Sequence, residues 1–106
     1  ENKNKSLALK YNNTIIKFDP LNKSNVKNEL INIIYEKNPT YSPLALYFII
    51  DNEIQTSNDE INNYFDVLIN EIDLDQEVKN LIIYKKGLFN ANFETENNLI
   101  TILKPS

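Results

Sequence analysis

The sequence predicts an α+β domain, with a mixed sheet packed by helices and a β-hairpin at each end of the chain. Two observations carry this prediction. Short apolar and β-branched runs at both ends are interrupted by polar, asparagine-containing turns, and two segments between them have the apolar spacing of helices. The length of 106 residues suits one hydrophobic core. We therefore expect a single domain over residues 1–106, with residues 1–5 disordered.

The first element is a predicted β-hairpin over residues 7–18. Apolar residues alternate along its first half, Asn12-Asn13 can form a tight turn, and a β-branched and aromatic run follows. Pairing the two residues beside the turn places the apolar side chains on one face. Lys10 and Lys17 then project from the other face.

A helix is predicted next, beginning at Ser24 or Asn25, either of which can cap it, and ending near Lys37. Pro39 disfavours a helical conformation at Asn38, so the helix must end by that residue. Its apolar stripe has helical spacing and contains Val26, Leu30, Ile33 and Ile34, widened by Ile31 and Tyr35.

Residues 44–50 are a nearly unbroken apolar run of strand length that follows Pro43. Such a run is typical of a strand buried on both faces, which is the prediction here. Residues 53–55 leave room for a further short strand.

A second helix has the clearest periodicity in the chain. Ser57 and Glu60 have the spacing of a capping box, in which each side chain bonds the backbone amide of the other residue. The apolar positions behind it recur at i, i+3, i+4, i+7, i+8 and i+11. They are Ile61, Tyr64, Phe65, Leu68, Ile69 and Ile72.

The last third of the chain allows two interpretations. Residues 75–86 begin with acids and end with lysines before Gly87, which favours a helix with a glycine cap. The β-branched and aromatic block at residues 81–84 would also suit a buried strand, although the helix is preferred. Residues 88–93 and 99–103 are predicted to form the second hairpin.

Composition excludes several classes of function. The chain has no His, Cys, Met, Trp or Arg and a single Gly. Thiolate and imidazole metal sites, the usual general base near neutral pH and a glycine-rich phosphate loop are therefore missing. We predict that the protein is not an enzyme and has no cofactor or metal. No apolar run is long enough to span a membrane, and a cytoplasmic location is expected.

One four-residue motif resembles two known ones. Asn38-Pro39-Thr40-Tyr41 looks like the Asn-Pro-x-Tyr ligand of phosphotyrosine-binding domains. It also looks like the Asn-Pro-Thr-His self-cleavage site of type III export switch proteins, with Tyr41 in place of His. An ordinary helix stop explains the same residues and is the interpretation that we prefer.

Charge is strongly segregated along the chain. Residues 1–27 hold six lysines and two acids, residues 28–78 one lysine and eleven acids, and residues 79–106 four lysines and two acids. Such fields select and steer partners, although scattered lysines also serve solubility. Without arginine, nucleic acid is not expected as a partner. A protein with an acidic surface is expected instead, bound through Lys10, Lys17, Lys23 and Lys27.

The predicted order of hairpin, helix and buried strand over residues 6–56 resembles the β-grasp, or ubiquitin-like, superfamily. The most similar modules are Ras-binding domains, ubiquitin-like FERM lobes and ELMO amino-terminal domains. The resemblance implies that the edge of the second strand pairs with a strand of a small GTPase. It further implies that the four lysines meet the acidic surface of that GTPase.

The sequence therefore predicts a non-catalytic protein-interaction domain, and the resemblance implies that it is of the small-GTPase-binding kind. One alternative is an inhibitor or immunity-type protein that mimics an anion through its acidic residues 51–77. Another is a structural domain of a larger assembly.

Overall fold

The computed structural model describes the backbone of residues 2–54 and 57–103, and the side chains of residues 5–54 and 57–91. This part of the chain contains no strand and five helices: α1 (Asn2–Lys17), α2 (Ser24–Tyr35), α3 (Tyr41–Asp51), α4 (Asn58–Glu71) and α5 (Gln76–Leu103). The predicted α+β class, with its mixed sheet and two hairpins, is wrong. The resemblance to the β-grasp superfamily is overturned with it.

The segment predicted as the first hairpin, residues 7–18, forms most of α1 instead. Leu9 and Ile16, which belong to the predicted apolar face, are 64% and 80% exposed. The residues that pack against the core recur at i, i+4, i+7 and i+11, and this spacing matches a helix. They are Leu7, Tyr11, Thr14 and Phe18.

The predicted apolar stripe of α2 is confirmed, because its four principal residues are fully buried. The predicted cap is wrong. Lys23 occupies the N-cap position and makes no capping hydrogen bond, while the Ser24 hydroxyl bonds the side chain of Asn22. The helix has ended before Asn38, as predicted, and Lys37 adopts a left-handed φ of 58° directly after it.

Residues 44–50, predicted as a buried strand, lie within α3. An apolar run of this length suits a buried helix as well as a buried strand, and a helix satisfies its own backbone hydrogen bonds. Thr40 is the N-cap residue, and Asn38 supports the turn before it, since the Asn38 side-chain oxygen accepts from the backbone N–H groups of Thr40 and Tyr41 at 2.8 and 2.9 Å. Pro43 is tolerated because it lies in the first turn.

The prediction of α4 and its capping box is confirmed. The Glu60 amide donates to the Ser57 hydroxyl at 3.1 Å, and the Ser57 amide donates to the Glu60 carboxylate at 3.1 Å. The predicted strand before it is wrong at Glu53, which takes a left-handed φ of 52° in the turn after α3. Gln55 lies outside the described residues.

For residues 75–86, the helical interpretation is the right one, since α5 begins at Gln76. The helix passes through Gly87, so this glycine does not cap it, and the predicted second hairpin is replaced by helical backbone as far as Leu103. Ile82 is fully buried while its neighbours Leu81 and Ile83 are about half exposed, which a strand buried on both faces would not allow. Pro105, the predicted end of the hairpin, lies outside the described residues.

Each helix packs mainly on its neighbours in the chain. α2 packs on α1 and α3, α4 packs on α3 and α5, and additional contacts join α1 to α3 and α2 to α4. The buried side chains of all five helices form one apolar cluster. The expectations of a single domain and of disorder in residues 1–5 remain predictions. No helix in the described part of the chain is both long and apolar enough to cross a membrane.

Candidate functional site

A groove opens where side chains of α3 and α5 meet above α4. Its volume is about 180 Å³, and the rings of Phe65 and Phe89, with centroids 6.3 Å apart, form its aromatic base. Phe65 is fully buried, so it links the groove directly to the hydrophobic core. The remaining lining residues are Tyr47, Ile50, Asp51, Lys85 and Leu88. We call these seven residues the α3/α5 groove.

The one cation of this groove is stacked on an aromatic ring. The Lys85 ammonium lies 4.7 Å from the centroid of the Tyr47 ring, a cation–π contact worth about 0.5–1 kcal/mol at an exposed site. Among the described residues, no carboxylate lies within ion-pairing distance of Lys85, although Asp51 lines the same groove. Burial raises the pKa of the Tyr47 phenol. Tyr47 therefore stays neutral at physiological pH and offers its ring, not a negative charge, to the Lys85 side chain.

Leu88, which lines the groove, lies on one face of α5 with two further exposed apolar side chains. Leu81, Tyr84 and Leu88 lie at i, i+3 and i+7 on one face and are 49%, 63% and 46% exposed. The buried face of the same helix is marked by Ile82 and Phe89. Contiguous apolar surface beyond what a helix buries in its own core commonly marks an interaction site. We call these three residues the α5 strip.

The helix that carries the strip has all its lysines in one stretch, between Glu77 in its first turn and Glu94. Residues 78–91 contain Lys79, Lys85 and Lys86 and no acid. Lys86 pairs with Asp66 of α4, with Nζ 2.8 Å from Oδ1. The ion pair holds α5 on α4 from the side opposite the strip, and it leaves Lys85 as the cation beside the groove.

Two of the predicted partner-binding lysines lie on α1 near a carboxylate of α2. Lys17 Nζ is 2.8 Å from Glu29 Oε2, and the buried Thr14 hydroxyl donates to Glu29 Oε1 at 3.0 Å. The hydrogen bond from Lys17 lowers the pKa of Glu29, and Thr14 and the nearby charge of Lys10 act in the same direction. This side chain of Lys17 therefore supports the packing of α1 on α2.

The other two predicted lysines belong to the beginning of α2. Lys23 donates from Nζ to the backbone carbonyl of Glu53 at 3.3 Å, across to the turn after α3. Lys27 is half buried and forms no ion pair within the described part of the chain. The four lysines thus line α1 and α2 rather than a hairpin edge, and their role in partner binding remains a prediction.

A second cleft, of about 460 Å³, separates α1 from the turn between α2 and α3. It is more polar than the groove. Lys37 at its rim pairs with Glu71 of α4 at 2.8 Å, and Lys10 of the predicted set is the other cation. The remaining lining residues are Ser6, Leu7, Glu36, Asn38 and Pro39.

The acidic segment, residues 51–77, is partly used inside the fold. Asp66 and Glu71 form ion pairs with Lys86 and Lys37, and Asp59 and Glu60 lie in the first turn of α4, where acids favour helix formation. No group of three or more acids in the described residues is arranged to hold a metal ion.

Sequence reasoning overlooked the α3/α5 groove. Its residues come from three helices, two of which were predicted as strand or left open. One signal was available, because residues 78–91, read as a helix, place apolar side chains on two faces. A helix on the surface of a small domain buries only one of them.

The fold and groove define the class of this molecule: an all-α domain of sequentially packed helices, with an apolar groove at the end of the array and one lysine, Lys85, in its lining. The chain matches no protein-family model, no curated protein and no solved structure.

Proposed function

We propose that the protein is a non-catalytic binding domain whose α3/α5 groove and α5 strip hold a segment of a partner protein. The observation that carries the proposal is that Leu88, which lines a groove with two phenylalanines, shares a helix face with two further half-exposed apolar side chains, Leu81 and Tyr84. Apolar side chains left in water at such a place favour association, because each one gains free energy when it is covered.

The size of the groove favours a side chain of a protein over a metabolite. Pockets for small molecules have volumes of about 300–1,000 Å³. The groove has about 180 Å³, which is room for one large apolar side chain. Covering the exposed halves of the three strip residues would contribute about 1 kcal/mol each.

The chemistry of the groove supports a binding function and not a catalytic one. Its ionisable groups are Lys85, Asp51 and Tyr47. Burial raises the pKa of Tyr47, so less of its phenolate is available as a base near neutral pH. The chain has no His, the usual general base near neutral pH, and no Cys, a common nucleophile.

The small-GTPase interpretation is not retained, since it required a strand edge. The lysines of α1 and α2 remain a possible second surface for an acidic partner, and the cytoplasmic location remains a prediction.

Site-specific photo-crosslinking tests the proposal. A benzophenone amino acid at position 88 is expected to form one discrete adduct with a partner protein in native lysate. The matched control carries the probe at position 16 on α1, where Ile16 is even more exposed than Leu88 and lies outside the α3/α5 groove.

The adduct should be lost when Leu81→Asp is added to the probe-bearing chain, since a charge would then lie on the strip. The captured partner, once purified, should bind the unmodified domain with a measurable Kd and bind Leu81→Asp at least tenfold more weakly. Equal crosslinking from positions 16 and 88, or equal affinity for both chains, would contradict the proposal.

A further inference from the structure

We infer that the occupant of the α3/α5 groove is an amphipathic helix that carries a carboxylate. In this arrangement an apolar side chain of the helix enters the groove beside Leu88, and an Asp or Glu of the helix meets the Lys85 ammonium. The inference rests on the proposed function and specifies the chemistry of the partner at the same site.

A helical occupant follows from what the groove offers. α3 and α5 use their backbone groups within their own helices, and the described residues contain no strand edge to which an extended peptide could add. The partner must therefore bind through side chains. Leu81 and Leu88 lie seven residues apart, which is about 10 Å along α5 and matches two turns of a helix lying beside it.

An acidic occupant follows from the charges around the strip. Lys85 has its ammonium over the Tyr47 ring and no carboxylate partner in the part of the chain described. Lys86 is paired with Asp66 on the opposite side of α5, and Lys79 lies on that side too, seven residues before it. Lys85 is therefore the cation that a carboxylate beside the apolar face of a bound helix can meet. Asp51 lines the groove on the α3 side, so it disfavours a carboxylate there and favours one that faces α5.

The same charges argue against a second copy of the chain as occupant. Two α5 strips packed face to face would bring two copies of the Lys85 ammonium, which has no ion pair within the described residues, to one interface. Like charges placed at an interface oppose association.

The test is an NMR titration of the isotopically labelled full chain with two synthetic helical peptides of 14 residues. Both peptides have leucine at three positions spaced i, i+4 and i+7 on one face. The acidic peptide has glutamate at the positions flanking that face, and the basic peptide has lysine at the same positions.

The acidic peptide is expected to shift the amide signals of Tyr47, Lys85 and Leu88 and to bind at least about fivefold more tightly than the basic one. Lys85→Gln should remove most of that preference while leaving the groove intact. Leu88→Asp should weaken binding of the acidic peptide at least tenfold. The matched controls are Lys5→Gln, at an exposed lysine of α1 outside the predicted set, for the charge and Leu9→Asp for the exposed leucine, and neither should change the binding.

Three results would overturn the inference. Equal binding of both peptides, unaffected by Lys85→Gln, would remove the role of the carboxylate. Signal shifts that avoid α3 and α5, or no shifts with either peptide at millimolar concentration, would show that an amphipathic helix does not bind in the groove. Dimerisation in sedimentation equilibrium that Leu88→Asp abolishes would assign the groove to a second copy. In the first two cases the proposed function would still hold if position 88 crosslinks to a partner protein in lysate, because that experiment does not depend on the charge or helicity of the partner.

Discussion

Asn62 of α4 and Asn90 of α5 form a reciprocal pair of side-chain hydrogen bonds. Asn62 Nδ2 donates to Asn90 Oδ1 at 3.0 Å, and Asn90 Nδ2 donates to Asn62 Oδ1 at 2.8 Å. Each amide also donates to the backbone carbonyl four residues earlier in its own helix. The pair therefore sets the rotation of α5 on α4, and that rotation decides which side chains of α5 reach the groove.

We predict that this pair couples the two helices energetically. Asn62→Ala and Asn90→Ala should each lower the free energy of unfolding by about 1 kcal/mol, and a double-mutant cycle should give a coupling of about 1 kcal/mol. Urea denaturation of the four chains measures both quantities. The exposed pair Gln76 and Asn80, joined within α5, is the control and should couple by less than about 0.5 kcal/mol. Strictly additive effects at Asn62 and Asn90 would contradict the prediction.

A second prediction concerns the fully buried hydroxyl of Ser42. It donates to the backbone carbonyl of Ile33 at 2.7 Å and accepts from the backbone N–H of Asn38 at 2.8 Å. The hydroxyl therefore bridges two backbone groups where α2 ends. Ser42→Ala should lower the free energy of unfolding by about 1–3 kcal/mol, because it removes two buried hydrogen bonds to backbone groups. Ser24→Ala, which removes only an exposed hydroxyl, is the matched control in the same urea experiment. A similar loss for both variants would mean that the Ser42 bridge contributes little.

A third prediction is a pH dependence that originates at Glu29. The hydrogen bond from Lys17 holds the pKa of this carboxyl below its ordinary value of about 4.5. A carboxyl with a lowered pKa in the folded state stabilises the protein above the unfolded-state value, and it loses that contribution as pH falls through the folded-state value. Thermal unfolding between pH 7 and pH 3 should therefore show a smaller decrease for Lys17→Gln than for the unchanged protein.

NMR titration of the Glu29 carboxyl gives the direct measurement. Its pKa should rise towards the ordinary value in Lys17→Gln and stay low in Lys27→Gln, which removes a lysine that has no ion pair in the described residues. An unchanged midpoint in Lys17→Gln would show that Lys17 is not the cause of the shift.

The fourth prediction separates the structural from the binding roles of the basic residues. Lys17→Glu should lower the thermal midpoint, because it places a second carboxylate beside Glu29. Lys27→Glu should change the free energy of unfolding by less than about 0.5 kcal/mol, because Lys27 has no ion pair to lose within the described residues. If α1 and α2 form a second surface for an acidic partner, Lys27→Glu should also weaken binding of the crosslinked protein in a salt-dependent manner. Unchanged affinity at low salt would remove Lys27 from that surface.

The success of sequence reasoning varied with the length of each periodic pattern. α4 was predicted with its capping box because six apolar residues recur over three turns, which only a helix explains. α1 was mistaken because Leu7, Leu9 and Tyr11 fit a strand, while Leu7, Tyr11 and Thr14 fit a helix. Over so few residues the two periods overlap. Asn12-Asn13, which predicted a turn, lie inside the helix.

The segment in α3 failed for a different reason. Residues 44–50 are almost all apolar, so no period is visible in them. A buried strand needs a neighbouring strand for its backbone, whereas a helix bonds its own. Whether such a neighbour exists depends on the rest of the chain, and here the described segments around α3 are helical.

By itself, the sequence determined the apolar face of α2, the break at Asn38, the capped helix α4 and the division of charge along the chain. These features depend on residues that lie within a few turns of one another. Only the tertiary structure decided that α1, α3 and α5 are helices, and that Tyr47, Phe65 and Lys85 meet at one groove. The physical reason is that strand and helix compete for the same short apolar runs, and packing against distant residues settles the competition.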